Sequence, residues 1–232
     1  MTKIKTQLTS ISNSIQVAEQ EANKPANSVQ LLAVSKTQSA DIVRSAFQAG
    51  QRCFGENYLQ EALVKISELT DLNIEWHFIG PIQSNKTRDI ASHFDWVQSI
   101  DRLKIAQRLS NQRPSELNEL NICIQVNIDN EESKSGVAPD NVLTLAKQIV
   151  QFDNLQLRGL MIIPAKTDDQ TQQHQSFLRA YSLFCELKAE YPNVDTLSMG
   201  MSADMSAAIA EGSTMVRIGT AIFGQRDSVK KQ

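Results

Sequence analysis

The sequence predicts a single (β/α)8 barrel, an α/β fold of the TIM type with one extra helix at its amino end. Three observations predict it. About eight short apolar runs alternate with amphipathic stretches, the pattern of repeated strand–helix units. The length of 232 residues is close to the ~250 usual for such a barrel. No Gly-x-Gly-x-x-Gly follows any apolar run, which counts against the alternative of an open, doubly wound sheet. There is no composition break, low-complexity run or internal repeat. One domain is therefore expected, with a leading helix over 1–25, a barrel over 31–224 and a polar tail over 225–232.

The elements follow in order. Residues 6–23 place Leu8, Ile11, Ile15 and Ala18 at helical spacing among Gln, Ser and Glu, an amphipathic helix that Pro25 ends. Residues 31–35 form the first buried strand, and 40–50 a helix closed by Gly50. A strand over 52–55, a helix over 57–69 and a strand over 74–79 come next, the last ending in Gly80-Pro81. Residues 84–93 are helical and 96–100 extended, and Asp101 is expected to cap a helix running to 111. A strand over 122–128, a helix over 139–152 opened by proline, and a strand over 157–163 stopped by Pro164 continue the alternation. The longest helix covers 171–190, with a strand over 196–201, a short helix over 203–211 preceded by Ser202 at its N-cap position, and a last strand over 215–218. Too little chain follows for a normal closing helix, so the leading helix is expected to cover that wall of the barrel.

The chain is 41% hydrophobic and 21% charged with a net charge of −3, enough for one sizeable core. It has no long basic run, so neither nucleic acid nor an anionic membrane is the expected partner. The start, Met1-Thr2-Lys3-Ile4-Lys5, leads into a polar amphipathic segment, and no apolar run approaches the ~18–20 residues that span a bilayer. A soluble, cytoplasmic protein is expected. Cys53, Cys123 and Cys185 are odd in number and widely spaced, and His77, His93 and His174 are equally dispersed. Neither a disulfide framework nor a metal site is expected from that spacing, although His77 stands out on an apolar strand.

Chemistry is expected at the carboxyl ends of the strands, with phosphate groups held by the loops after strands seven and eight. Lys36 ends the run Leu31-Leu32-Ala33-Val34, either as a solvated strand end or as an amine held in a pocket, where it can attack an aldehyde. After strand seven, Gly200 allows close backbone approach, and Ser202 offers a hydroxyl either to an oxyanion or only to the following helix. Asp204, in the first turn of that helix, would repel a phosphate, so its carboxylate is expected to point away. After strand eight, Gly219 and Thr220 can offer backbone N–H groups and a hydroxyl. Arg217 alternates with Val216 and Ile218 and so points to the opposite face from them. In a closed barrel the first and last strands are neighbours. An aldehyde-seeking lysine, an adjacent cation and a phosphate cradle together describe pyridoxal 5′-phosphate (PLP).

Eight blocks carry a family resemblance. They are Val34-Ser35-Lys36-Thr37, Phe54-Gly55-Glu56-Asn57-Tyr58, Trp76-His77-Phe78-Ile79-Gly80-Pro81-Ile82-Gln83-Ser84-Asn85-Lys86 and Gln125-Val126-Asn127. The others are Lys134-Ser135-Gly136, Arg158-Gly159-Leu160-Met161, Leu197-Ser198-Met199-Gly200-Met201-Ser202-Ala203-Asp204 and Gly212-Ser213-Thr214-Met215-Val216-Arg217-Ile218-Gly219. In this order, over 31–224, the chain resembles the pyridoxal phosphate homeostasis protein family. The resemblance implies a PLP-binding barrel similar to the N-terminal domain of alanine racemase, with the cofactor as a Schiff base on Lys36. It further implies that Ser202, Gly219 and Thr220 hold the phosphate, that Arg217 faces the pyridine nitrogen, and that Asn57 and Met161 line the ring pocket. Lys134 matches a second lysine of the family pattern, with no role assigned.

An arginine at the pyridine nitrogen favours its unprotonated form and weakens the ring as an electron sink. A racemase also needs a second acid–base group on the other cofactor face, which alanine racemases take from a partner subunit. The resemblance therefore implies a non-catalytic carrier active in intracellular PLP homeostasis and cofactor supply, and a monomer is expected because no second domain is present to build the racemase-type dimer. Such a carrier would affect amino- and keto-acid balance indirectly, with PLP-dependent apo-enzymes as possible recipients. Two other classes stay open at this stage. One is a PLP-dependent racemase or decarboxylase, with His77 or Tyr58 as the missing base. The other is an aldolase-type barrel using Lys36 directly on a sugar phosphate.

Overall fold

The computed structural model describes residues 2–131, 134–167 and 169–224; the polar tail expected over 225–232 lies outside them. Eight parallel strands form a closed barrel in sequence order. They are β1 (Gln30–Val34), β2 (Cys53–Glu56), β3 (Glu75–Phe78), β4 (Trp96–Ile100), β5 (Leu120–Val126), β6 (Leu155–Ile162), β7 (Thr196–Ser198) and β8 (Met215–Ile218). The helices are α1 (Lys3–Glu21), α2 (Ala40–Gln48), α3 (Leu59–Glu68), α4 (Thr87–His93), α5 (Leu103–Gln112), α6 (Val142–Ile149), α7 (Gln170–Glu190), α8 (Met205–Ala210) and α9 (Thr220–Phe223). The expected class and element order hold.

The differences are local. The helix expected over 139–152 begins as a short 3-10 turn at Pro139–Asn141, and the one over 84–93 begins likewise at Ser84–Lys86. Asp101 does not cap α5. The N-cap is Arg102, without a side-chain cap bond, and the Asp101 carboxylate instead accepts from the Arg102 guanidinium at 2.7 Å. Nor does Ser202 cap α8, which starts at Met205 with Asp204 as its N-cap residue. The Asp204 carboxylate turns back to accept the Met201 N–H. That bond pulls the chain into a turn over 202–204 and delays the helix.

Closure rests on β8 pairing with β1, with Leu31 opposite Val216, Leu32 opposite Arg217 and Ala33 opposite Ile218. The wall beside that seam is covered as the sequence predicts. The leading helix α1 packs against α2, α8 and the one-turn α9, burying Leu8, Ile15 and Ala18. Its last turn also carries the buried Glu19, whose carboxylate accepts from the backbone N–H groups of Asn27 (3.0 Å) and Val29 (2.7 Å). Those bonds tie the entry into β1 to the helix.

The main apolar core lies between the sheet and its helices. A second, smaller cluster of Trp96, Cys123 and Met161 is separate from it. Gln98 on β4 accepts from the Ser198 hydroxyl on β7 and donates to the Met215 sulfur on β8, joining strands across the barrel. Such bonds cross the lumen, so the barrel interior holds a buried polar row.

Candidate functional site

At the carboxyl end of the β1–β8 seam, one cleft is lined by Val34, Lys36, Thr37, Gln38, Gly219, Thr220, Phe223 and Gly224. The seam brings Lys36 beside Gly219 and Thr220, residues more than 180 positions away in sequence. Lys36 is half-buried in the turn that leaves β1. The next residue, Thr37, has φ 67°, a left-handed conformation that is costly for a β-branched side chain. Backbone strain of this kind is held by surrounding structure and concentrates at functional sites.

That surrounding structure is a charged cluster under the turn. Lys65, from α3, is 3% exposed and Glu56, at the end of β2, is fully buried. Lys65 Nζ lies 2.6 Å from Glu56 Oε1, 2.7 Å from Glu61 Oε1 and 2.8 Å from the Ser35 carbonyl oxygen. Ser35 Oγ donates to Glu56 Oε1 at 2.6 Å, and the strained Thr37 N–H donates to Glu61 Oε1. Both flanks of Lys36 are therefore fastened to one ion cluster. Burial pushes the Glu56 carboxyl above its usual range, opposed by Lys65 and Ser35. Its Oε2 is buried with no hydrogen-bond partner among the described residues. Sequence reasoning missed Lys65 and Glu61. A lysine on an amphipathic helix reads as solvated, and only the contact with β2 shows otherwise.

On the other side, Gly219 is required by close approach: a Cβ there would lie 3.1 Å from the Val34 carbonyl oxygen. At the start of α9 the Ile222 and Phe223 N–H groups donate to the Gly219 carbonyl oxygen (2.9 and 3.0 Å), which leaves those of Thr220 and Ala221 without an acceptor among the described residues. Gly200, expected to admit a ligand, has φ 96°, and a Cβ there would meet the Ala208 Cβ at 2.6 Å. Packing of α8 against this turn is what requires it.

Arg217 points into the lumen and is buried. Its Nη1 donates to the Ser198 carbonyl oxygen (2.7 Å) and Oγ (2.9 Å), and its Nη2 to the Ile162 carbonyl oxygen (2.8 Å). Its Nε–H is not taken up by any described residue. Burial lowers the guanidinium to about 10, so it stays charged at neutral pH. Ser198 Oγ in turn donates to Gln98 Oε1 (2.7 Å), and Gln98 Nε2 lies 2.9 Å from His77 Nδ1. The remaining expected residues are dispersed. Exposed Ser202 lines a different cleft with His174 of α7. Asn57 lines an apolar cavity with Tyr58, Phe78 and Pro81, and its Oδ1 is buried without a partner among the described residues. Met161 sits in the lumen cluster with Trp96 and Cys123. Lys134 donates to the Pro164 carbonyl oxygen (2.5 Å) and pairs with Glu131 (2.8 Å), tying the loops after β5 and β6. His77 lies at the other end of the polar row: burial holds its imidazole neutral, and its Nε2 is 2.8 Å from Glu75 Oε1. Tyr58 is 52% exposed.

A half-buried amine, backbone donors across a narrow seam and a lumen arginine with a donor to spare fit a phosphate-bearing aldehyde with a ring nitrogen. Comparison with known proteins shows the family and the fold. Residues 6–227 match the family model of the alanine racemase N-terminal domain. The pyridoxal phosphate homeostasis protein of Pasteurella multocida is 55% identical over 231 residues, covering 98% of this chain and 99% of that one. The structure of PipY from Synechococcus elongatus with PLP bound superposes with a TM-score of 0.82 at 38% identity, covering 95% of this chain and all of that one. An alanine racemase of Clostridium difficile, 13% identical with a TM-score of 0.74 over 98% of this chain and 58% of its own, shares the fold.

Proposed function

The chain belongs to the pyridoxal phosphate homeostasis protein family, and we propose that it carries PLP on Lys36 and serves cofactor supply without catalysing a reaction of its own. Lys36 would hold the cofactor, which would supply an aldehyde carbon open to attack by a lysine amine. The observation that supports the reading most is the placement of Lys36 opposite Gly219 and Thr220 across the β1–β8 seam. Gly219 and Thr220, with the N–H groups of Thr220 and Ala221, bind the phosphate, and the family pattern adds Ser202, which lines a separate cleft beside α8. Arg217 presents its remaining N–H to the ring nitrogen, held in place by Ser198 and Ile162. Asn57 and Met161 border the ring.

A donor at the ring nitrogen suits storage better than carbanion chemistry. One of the two residues considered as a catalytic base also favours a carrier: His77 is engaged on both ring nitrogens, by Gln98 and Glu75.

The test is an absorption spectrum before and after borohydride reduction, followed by peptide mapping. A visible band that is bleached, with a pyridoxyl group mapped to Lys36 and absent from Lys36→Ala, is the expected result. A colourless protein that stays colourless with added PLP, or an adduct that persists on Lys36→Ala, overturns the assignment. Racemisation or decarboxylation of free amino acids by the loaded protein would overturn the carrier reading alone.

A further inference from the structure

At the amino end of the barrel, away from the lysine cleft, three residues that are dispersed in sequence meet. Cys53 opens β2, Glu75 opens β3 directly opposite it, and His77 follows on the same face of β3. Glu75 Oε1 is 2.8 Å from His77 Nε2 and 3.3 Å from Cys53 Sγ, and all three ligand atoms lie within 4.8 Å of one another. We propose that Cys53, Glu75 and His77 form a binding site for a borderline divalent cation of the zinc class.

The donor set decides the class. One sulfur, one imidazole nitrogen and one carboxylate oxygen suit zinc and its neighbours, whereas magnesium and calcium require oxygen ligands throughout. Around a tetrahedral ion these atoms would sit about 3.4–3.6 Å apart, from the usual zinc–ligand lengths. The imidazole–carboxylate contact therefore opens by roughly half an ångström to admit the ion. Cys53 and Glu75 also line a cavity of about 400 Å³ with Asp95, which leaves a fourth position open to water. The two arginines bordering that cavity are turned onto backbone carbonyl oxygens, and the carboxylates of Asp95 and Glu119 share the cavity with them. Arg52 donates to the Phe47 carbonyl oxygen (2.8 Å), and Arg113 to the carbonyl oxygens of Ala91 (2.6 Å) and Phe94 (2.8 Å).

Partners behind the ligands are in place. Gln30 Nε2 donates to Cys53 Sγ at 2.9 Å, and Gln98 contacts His77 Nδ1; such outer contacts orient ligands and support their charge. On binding, the Cys53 thiol releases its proton to solvent, since a coordinating thiol is deprotonated outright. The imidazole keeps its single proton, moved to Nδ1, where Gln98 accepts it by turning its amide over. The site joins the first residues of β2 and β3 through one ion, at the end of the barrel that serves stability.

The test uses the untagged full chain with its bound cofactor, and cobalt(II) as the probe. One equivalent is expected to give the visible bands of a tetrahedral site, which fall clear of cofactor absorption, and zinc should displace it. Cys53→Ser and Glu75→Gln should each weaken binding about 100-fold or more, because loss of an outer partner alone costs 10–100-fold; Cys185→Ser should leave it unchanged. The cofactor band at the opposite mouth reports that each variant is folded. X-ray absorption at the zinc edge of the unaltered chain reads the site without any substitution, and one sulfur among nitrogen and oxygen ligands is expected. Absence of tetrahedral cobalt bands, equal affinity in Cys53→Ser, or a zinc shell without sulfur overturns the site.

Discussion

Lys65→Met tests whether the buried ion cluster, and not the apolar shell alone, holds the lysine turn in shape. Methionine keeps most of the volume of Lys65 and removes its charge. The substitution takes away a 2.6 Å contact to Glu56 and a 2.7 Å contact to Glu61, and frees the Ser35 carbonyl oxygen. Glu56 is fully buried, so its carboxylate is left without a counterion in a medium of low dielectric. Breaking a buried pair in this way costs about 3–5 kcal/mol. At about 2–4 °C per kcal/mol for a chain of this size, the melting temperature falls by roughly 6–20 °C. The sign of the pH dependence follows from Glu56, whose carboxyl is raised by burial even with Lys65 present. A raised carboxyl favours the protonated folded state, a contribution present below the ordinary carboxylate range and lost as pH rises through the folded value. The deficit of Lys65→Met should therefore be larger at about pH 8 than at about pH 5. Urea unfolding of the parent, Lys65→Met and Lys65→Met/Glu56→Gln at both pH values measures it. The double variant should recover most of the loss, since the unpaired charge is gone. A single variant within about 1 kcal/mol of the parent, or a double variant no more stable than the single, would refute the argument.

Three further outcomes are expected. Arg217→Met, which leaves the Ser198 and Ile162 acceptors unpaired, should cost about 2–4 kcal/mol of stability and weaken PLP binding at least about tenfold by equilibrium absorbance, while the Lys36 adduct still forms at saturation. Ser198→Ala, which removes the hydroxyl joining Arg217 to Gln98, should cost about 1–2 kcal/mol in urea unfolding and speed PLP release without preventing loading. Gly219→Val pushes a branched side chain against the Val34 carbonyl oxygen, 3.1 Å from the Cβ position; PLP loading should fall sharply in the absorption spectrum although Lys36 is intact.

The alternation of strands and helices was legible because it is local. A period of two or of 3.6 in apolar residues, with Gly50, Pro25 and Pro164 as stops, needs nothing from the rest of the chain. Boundaries set by a competing hydrogen bond were not legible, and Ser202 shows why. The Asp204 carboxylate captures the Met201 N–H and moves the start of α8 to Met205. Lys36, Gly219 and Thr220 were legible as candidates because each lies just beyond a strand's carboxyl end, and the resemblance supplied Arg217 with a role before its partners were known.

The sequence by itself determined the fold class, the strand order and the lysine worth testing. Barrel closure decided the rest. Only when β8 pairs with β1 does the Lys36 turn face Gly219. Only across a closed lumen do Arg217, Ser198, Gln98, His77 and Glu75 fall into one row. Lys65 becomes a buried counterion by the same logic, through the packing of α3 on the end of β2. The physical reason is separation along the chain. Periodicity encodes which face of an element is buried, but not which distant side chain will meet it there.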